Sequence, residues 1–404
     1  MIQNKVRSFF AMGQCLLILV MLVHQSAVGQ GLSISGEVID AKSNHYIPYV
    51  HITIAGTSYG NISNSEGKFY ITIPEAHHRG HIAFSCIGYE TKIIPIDSLS
   101  PTSNKIMLEE ATHTLDLLLI TNISAREYIE RCIENIPNNY INYPASFRGF
   151  YLSGTKENGT YSRLLEAEVE VYCRNFLRYR ATDDGDTMLL PTAIDHRTYK
   201  IKEPSLFHHS LSFDHVMNGK AFLNPENLDS WSFEFVGAFE NDHIVLIEAN
   251  YIDPEKKIDH KAQIFVDSRS FAILKIAYDY TWNTKHYINS PGGSMATAYH
   301  RWSGVFNYSS YGGRYFIKSF NYNVTQGIYD RSTMDIISLH ELRNELIVTS
   351  MNNKTASTAK QVPYFSVRYH PLGSDGSEAN NNNFYPPIKS EAYLQMKKDI
   401  QSFK

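Results

Sequence analysis

AGTSYGNISNSEGKFYITIP, residues 55–74, admits two opposed readings, and the choice between them sets the fold class. Gly56, Ser58 and Gly60 spell G-x-S-x-G, the nucleophile elbow of a serine hydrolase, which has chemical meaning only where a strand turns sharply into a helix. After Ser58 comes a run of Asn, Ser and Gly, then Lys68-Phe69-Tyr70-Ile71-Thr72-Ile73 before Pro74. Phe69, Ile71 and Ile73 alternate with polar neighbours, the period of a half-buried strand, so the glycines read as turns and Ser58 as a turn residue. A calcium loop is also disfavoured, because setting Gly67 on the glycine of an EF-type loop puts Ile62 where the first carboxylate belongs.

On both sides of this stretch, short alternating runs recur at roughly ten-residue spacing, the mark of a β-sandwich or barrel. Leu32, Ile34 and Val38 begin the series, followed by Val50 to Ile54, Phe69 to Ile73, Ile82 to Cys86, Thr91 to Ile96, and Ile106 with Leu108. Turn residues separate them, so residues 31–112 are expected to form a compact two-sheet domain. Residues 113–144 read as a linker and helix. Ser124 is set to cap that helix, with Glu127 completing a capping box, and Pro137 with Asn138-Asn139 stopping it at about Asn138.

Residues 145–352 read as a larger antiparallel sheet. Arg163 to Tyr172 alternates Leu165, Ala167, Val169 and Val171 against Glu166, Glu168 and Glu170, one face buried and one wet. Further strands are expected at 232–236, 243–252, 261–267, 271–282, 302–308 and 315–324, with Asp267 to Ser270 as one turn and Gly312-Gly313 marking a hairpin. Short connections imply an antiparallel meander. Residues 182–230 read as loops and short helices, and 353–404 as a partly disordered tail with Asn380 to Asn383 and Pro386-Pro387.

The first 29 residues carry Lys5 and Arg7, an apolar run from Cys15 to Val23, and Ala27-Val28-Gly29, a small-x-small pattern. They read as a secretory signal peptide cut near Gln30. The apolar run is about half of the roughly 20 residues a spanning helix needs, and no later stretch is apolar enough, so the mature chain is expected without a transmembrane segment. The expected location is the periplasm, the outer membrane or the cell surface.

Charge is nearly balanced, with 37 Lys+Arg against 41 Asp+Glu. That argues against nucleic acid as a partner. Cys86, Cys132 and Cys173 remain after the signal segment, an odd number without short spacing, which suits neither a disulfide framework nor a zinc site. Seventeen histidines offer no zinc-peptidase motif. His340-Glu341-Leu342-Arg343-Asn344 lacks the second ligand, and His77, His78 and His81, like the pair His208 and His209, have no carboxylate or thiolate close in sequence. Glu166, Glu168 and Glu170 share a face, which reads as a solvent side. No catalytic residue, metal site or cofactor is assigned. The remaining signal is aromatic: Tyr278, Tyr280, Trp282, Tyr308, Tyr311 and Tyr315 are placed to line a groove for a glycan, a peptide or a lipid.

Gly36-Glu37-Val38-Ile39-Asp40, Ile47-Pro48-Tyr49-Val50, Gly56-Thr57-Ser58, Asn64 to Phe69 and Ile87-Gly88-Tyr89-Glu90 resemble the carboxypeptidase-like regulatory domain. This transthyretin-like Greek-key sandwich of Gram-negative envelope proteins also precedes the plug of TonB-dependent receptors. The rest of the chain has the wrong length and patterning for a plug and large membrane barrel. Ala125-Arg126-Glu127, Ile136 to Tyr140, Phe147 to Tyr151, Phe222-Leu223-Asn224, Phe265-Val266-Asp267 and Ala272-Ile273-Leu274 resemble the companion region of secreted carboxypeptidase-like regulatory domain proteins. The second region is also similar to the curved sheets of periplasmic lipoprotein carriers, at the level of fold. The resemblance implies a mainly β architecture and an accessory module without a peptidase site. The expected function is a non-enzymatic envelope protein that binds or scaffolds. The alternatives are a peptidase or glycosidase with carboxylates in the second domain, and a structural adhesin or subunit of an outer-membrane complex with an envelope protein as partner.

Overall fold

The computed structural model describes residues 32–57, 60–64, 66–111, 123–173, 190–199, 214–239, 243–253, 258–288, 293–352 and 398. The signal segment, Ser58, His208 with His209, the rest of the tail and the side chains of Glu166, Glu168 and Glu170 lie outside them.

The first seven strands are β1 (Leu32–Asp40), β2 (His51–Ile54), β3 (Gly60–Ile62), β4 (Lys68–Ile73), β5 (His81–Ser85), β6 (Lys92–Pro95) and β7 (Asn104–Leu108). They form two sheets, ordered β4-β1-β7 and β3-β2-β5-β6, in which only β1 and β7 run parallel. The alternating Ile, Val and Phe residues meet between the sheets, with Phe69 and Phe84 edge to face at 5.2 Å. β3, too short to show a period in sequence, takes the place a hydrolase would give to a helix. The Asn64 side-chain oxygen accepts from the backbone N–H of Glu66 and of Lys68, both at 2.9 Å, so this loop's acceptor serves its own turn.

The helix α1 (Ala125–Asn139) begins at Ser124, whose side chain accepts from Glu127 N–H. The Glu127 carboxylate instead takes Arg131 at 3.0 Å, so only half of the expected capping box is made. The helix ends at Asn139, one residue past the expected Asn138, with Pro137 inside its last turn and Tyr140 N–H bonded to the Ile136 carbonyl. Tyr128, Ile129, Cys132, Ile133 and Ile136 lie on one stripe at three- and four-residue spacing and pack on the large sheet.

That sheet holds β8 (Ala145–Glu157), β9 (Thr160–Cys173), β10 (Leu190–Tyr199), β11 (Ser232–Phe239), β12 (Ile244–Asp253), β13 (Ile258–Asp267), β14 (Ile273–Ile288), β15 (Met295–Tyr311), β16 (Arg314–Asp330) and β17 (Ile336–Asn352). Its order is β10-β9-β8-β17-β16-β15-β14-β13-β12-β11, antiparallel throughout and open at both edges. Two features depart from the sequence reading. β10 falls within a stretch read as irregular. The run β11 to β17 is the expected meander, but β8 adds to β17, pairing residues 146–157 with 340–352. No turn announces that pairing, because its partners are nearly two hundred residues apart. Gly312 and Gly313, both at positive φ, make the expected two-residue hairpin turn.

Each strand turns alternate side chains to one of two faces. The inner face carries the main core, on which α1 lies. The sandwich sits on the outer face, where Ile87 and Ala111 pack against Phe239, Ile244, Leu246, Phe265 and Leu274. Lys275 and Lys318 bring positive charge close to His51, and burial with that charge pushes its pKa down to about 4, so His51 is neutral at pH 7.

Leu346 lies fully buried on the inner face of β17 at the join with β8, whereas Ile337 near the start of β17 is 53 % exposed. Leu346→Ala is expected to cost about 2–5 kcal/mol, and Ile337→Ala under roughly 0.5 kcal/mol. Urea unfolding followed by tryptophan emission reads this sheet, since all three tryptophans belong to its inner-face packing.

Candidate functional site

Two adjacent inner-face rows run across seven strands. The first joins Tyr251, His260, Tyr280, Trp302, Val324, Leu342 and Thr155 by direct register from β12 to β8. The second joins Ala249, Ala262, Tyr278, Gly304, Tyr322, Asn344 and Ser153. Neither row contains Lys, Arg, Asp or Glu. Gly304 leaves room for its neighbour: a Cβ there would stand 3.0 Å from Cζ of Tyr278, so the tip of that ring lies over the glycine, toward β16.

The segment 214–231 covers the middle of this face. Asp214 starts it, buried, accepting from the N–H groups of Val216 (2.9 Å) and Met217 (3.0 Å) and from Tyr308 OH at 2.6 Å. Burial pushes its pKa up to about 6 despite these bonds. His215, in the one-turn helix His215–Asn218, places Nε2 2.9 Å from Tyr280 OH and stacks on Phe222 at 5.3 Å. The segment ends in Trp231, which rests on Tyr251 (5.7 Å), Tyr280 (6.0 Å) and His260 (6.3 Å).

Past Trp231 the face is aromatic and half-buried. His260 stacks on Tyr280 at 4.5 Å and meets Trp282 edge to face at 4.8 Å. Trp282 meets Trp302 at 5.2 Å, and Trp302 meets Tyr299 at 4.8 Å. All three tryptophans of the chain therefore gather in one cluster. Nε2 of His260 is buried there without a hydrogen-bond partner, and the hydroxyl of Tyr278, whose ring lies 4.8 Å from His215 at the border of the cover, is also buried without one. Such a group left unsatisfied costs roughly 1–3 kcal/mol. Burial lowers the His260 pKa to about 4, so the ring is neutral at pH 7.

Of the six aromatics read from sequence, Tyr278, Tyr280 and Trp282 are brought together here, the two tyrosines buried and Trp282 half-buried. The other three stand at the opposite end, beneath α1. Tyr308 is buried between Asp214 and Tyr140, Tyr315 lies 6.0 Å from Tyr140, and Tyr311 packs edge to face on Phe316. Trp231, Tyr251, His260, Tyr299 and Trp302 join the cluster without being singled out by the sequence reading. Alternation marks His260 and Trp302 as facing the side of Tyr280 only once the register of β13, β14 and β15 is known.

The outer face has its own trough of about 410 Å³, with Glu248, Lys261, Gln263, Asp279, Asn321 and Asn323 around a low floor that includes Ala277. Its carboxylates are engaged, Asp279 by Arg301 at 2.7 and 2.6 Å and Glu248 by Asn250 at 3.0 Å, and Asn323 bonds Asn321 at 3.1 Å. Among the described residues no group of three or more His, Cys, Asp or Glu is placed to hold a metal ion. His78 Nε2 lies 3.1 Å from the Ile73 carbonyl, a tie within the sandwich. Cys86 and Cys132 are free thiols, each with its pKa raised by burial.

Residues 34–120 match the CarboxypepD_reg-like domain, so the chain carries that module in its first part. Among solved structures, a crystal structure from Bacteroides fragilis NCTC 9343, of a protein of unknown function described as membrane-associated, is similar at 8 % identity. The alignment covers 79 % of this chain and 98 % of that one, with a TM-score of 0.15, too low to carry an argument. No curated protein matches the chain. Among the described residues no helix is long and apolar enough to cross a membrane.

Asp214 makes the stability of the covering segment depend on pH. Its folded pKa of about 6 lies above the ordinary 3.8, so its contribution is fully present below about pH 4 and is lost as pH rises to about 6. The difference is on the order of 3 kcal/mol. Asp214→Asn keeps a capping oxygen and removes the titration, so melting curves of the two proteins, matched at pH 4, are expected to separate by pH 7 with the variant the more stable.

Proposed function

We propose that this protein is an exported, non-enzymatic binding protein of the cell envelope. In this reading the large sheet holds a ligand on its inner face beyond Trp231, and the sandwich braces the outer face. The carrying observation is the gathering of Trp282 and Trp302 with Tyr251, Tyr299 and His260 on one partly exposed surface bordered by the buried Trp231. Large aromatic side chains left partly exposed and in contact with one another mark binding surfaces, since rings supply contact area at low entropic cost. The CarboxypepD_reg-like match at 34–120 supports an accessory module rather than a reactive centre. Lys5, Arg7, the short apolar run and Ala27-Val28-Gly29 support export.

The purified protein is expected to bind at least one member of a panel of glycans, peptides and lipids saturably, with a shift in tryptophan emission. Trp282→Ala and Trp302→Ala should each weaken that binding tenfold or more while the fold is retained by circular dichroism. Binding that survives both changes would place the ligand elsewhere. Export is checked separately: expressed in a Gram-negative host, the chain should be recovered outside the cytoplasm with its N-terminus near Gln30 by mass spectrometry, and an intact Met1 terminus would count against it.

A further inference from the structure

We infer that the ligand of this inner-face site is a neutral saccharide, held by the tryptophans along its apolar faces and by Tyr278 and His260 through its hydroxyl groups. The inference rests on the binding reading above and adds the ligand's chemistry. Three observations carry it. The hydroxyl of Tyr278 is buried, has no partner, and belongs to a ring whose tip lies over Gly304, two residues along β15 from Trp302 on the same face. His260 Nε2 is a second buried atom without a partner, on a ring wedged between Tyr280 and Trp282. The two rows around them hold fourteen residues from seven strands with no charged side chain, yet they include the partly exposed Ser153 and Thr155 as further hydrogen-bonding groups.

An unsatisfied buried hydroxyl is a debt that a ligand bringing its own hydrogen-bonding groups relieves, whereas an acyl chain leaves it standing. A charged ligand meets no counter-ion in either row, and burying an unpaired charge is costly. An extended peptide gains most from a free strand edge, where backbone groups pair, and these rows lie inside the sheet. A neutral sugar fits what remains: its C–H faces pack on rings, and its hydroxyls both donate and accept. The outer trough, with its carboxylates already paired, offers no such unfilled demand.

The test uses the purified full chain with maltohexaose, cellohexaose and xylohexaose as neutral probes, a polygalacturonate oligomer as the charged probe, and oleate and a neutral hexapeptide as the competing classes. Binding is read by calorimetry and tryptophan emission. At least one neutral hexasaccharide is expected to bind saturably and the charged oligomer not to bind. Tyr278→Phe should raise the melting temperature of the free protein, because it deletes an unpartnered hydroxyl, and weaken the saccharide tenfold or more. His260→Phe should weaken it similarly. Oleate or peptide binding that Trp302→Ala abolishes, with every sugar silent, overturns the saccharide and leaves the site standing. Sugar binding unchanged in both Tyr278→Phe and His260→Phe overturns the assigned contacts. Silence from all probes, or binding indifferent to Trp282→Ala and Trp302→Ala, overturns the saccharide together with the site.

Discussion

The pairing of β8 with β17 is the constraint that makes one domain of the second region. It joins residues 146–157 to 340–352 and turns two separate meanders, β8 to β10 and β11 to β17, into one ladder of ten strands. Without it each piece would present an open edge to solvent, with backbone groups unpaired and a tendency to capture other strands. Because side chains alternate at a period of two, the same ladder sorts every residue onto one of two faces, and a one-residue slip at the join would turn Leu346 and Val348 outward and Glu345 inward. Leu346 and Val348 are buried in the core, and Tyr151 OH donates to Asn344 across the join at 2.9 Å, so apolar packing and a polar tie specify the same register.

Once the faces are sorted, their uses diverge. The outer face receives the sandwich through a small apolar contact around Phe239 and Phe265, bordered by charged and polar residues. Glu345 is buried there against Arg343 at 3.4 Å, and its pKa is raised by that burial. Lys318 donates to the Val348 carbonyl at 2.6 Å, and burial lowers its pKa to about 8. Charges held this way are expensive and poor sources of stability, and both ties lie within the large sheet, Glu345 with Arg343 on β17 and Lys318 of β16 with the β17 backbone.

The inner face is graded along the strands. Under α1 it is closed by packing, with Tyr140 OH donating to the Ile273 carbonyl at 2.5 Å and Arg314 donating to the carbonyls of Pro137 (2.8 Å) and Tyr140 (3.1 Å). Under 214–231 it is closed by a short cover tied down through Asp214 and His215. Past Trp231 the rings contact one another but stay half-buried, and Nε2 of His260 has no hydrogen-bond partner. What sets the two ends apart is exposure: Tyr140 and Tyr308 are buried at the α1 end, whereas His260, Trp282, Tyr299 and Trp302 keep contact with solvent, which is why the ligand is placed beside them.

Much of the fold is legible in the amino-acid sequence because it is local. Alternation marks six of the seven strands of the sandwich and most of the meander, Ser124 marks the start of α1, Gly312-Gly313 marks a hairpin, and the lack of a helix after Gly60 removes the nucleophile reading of its motif. β3 and β10 escape because a three-residue strand shows no period and because β10 lies in an irregular stretch, and β8 and β17 lie in the region read as sheet without being marked as strands of their own. Pro137 with Asn138-Asn139 marks the end of α1 to within one residue, since a proline in the last turn removes only one backbone bond. The site is half legible: Tyr278, Tyr280 and Trp282 share one strand, so alternation places them together, while Trp231, Tyr251, His260, Tyr299 and Trp302 come from other strands and from the cover. Which strands become neighbours was left to tertiary packing, because a period of two says which residues share a face and nothing about the register that sets His260 beside Tyr280, or β8 beside β17.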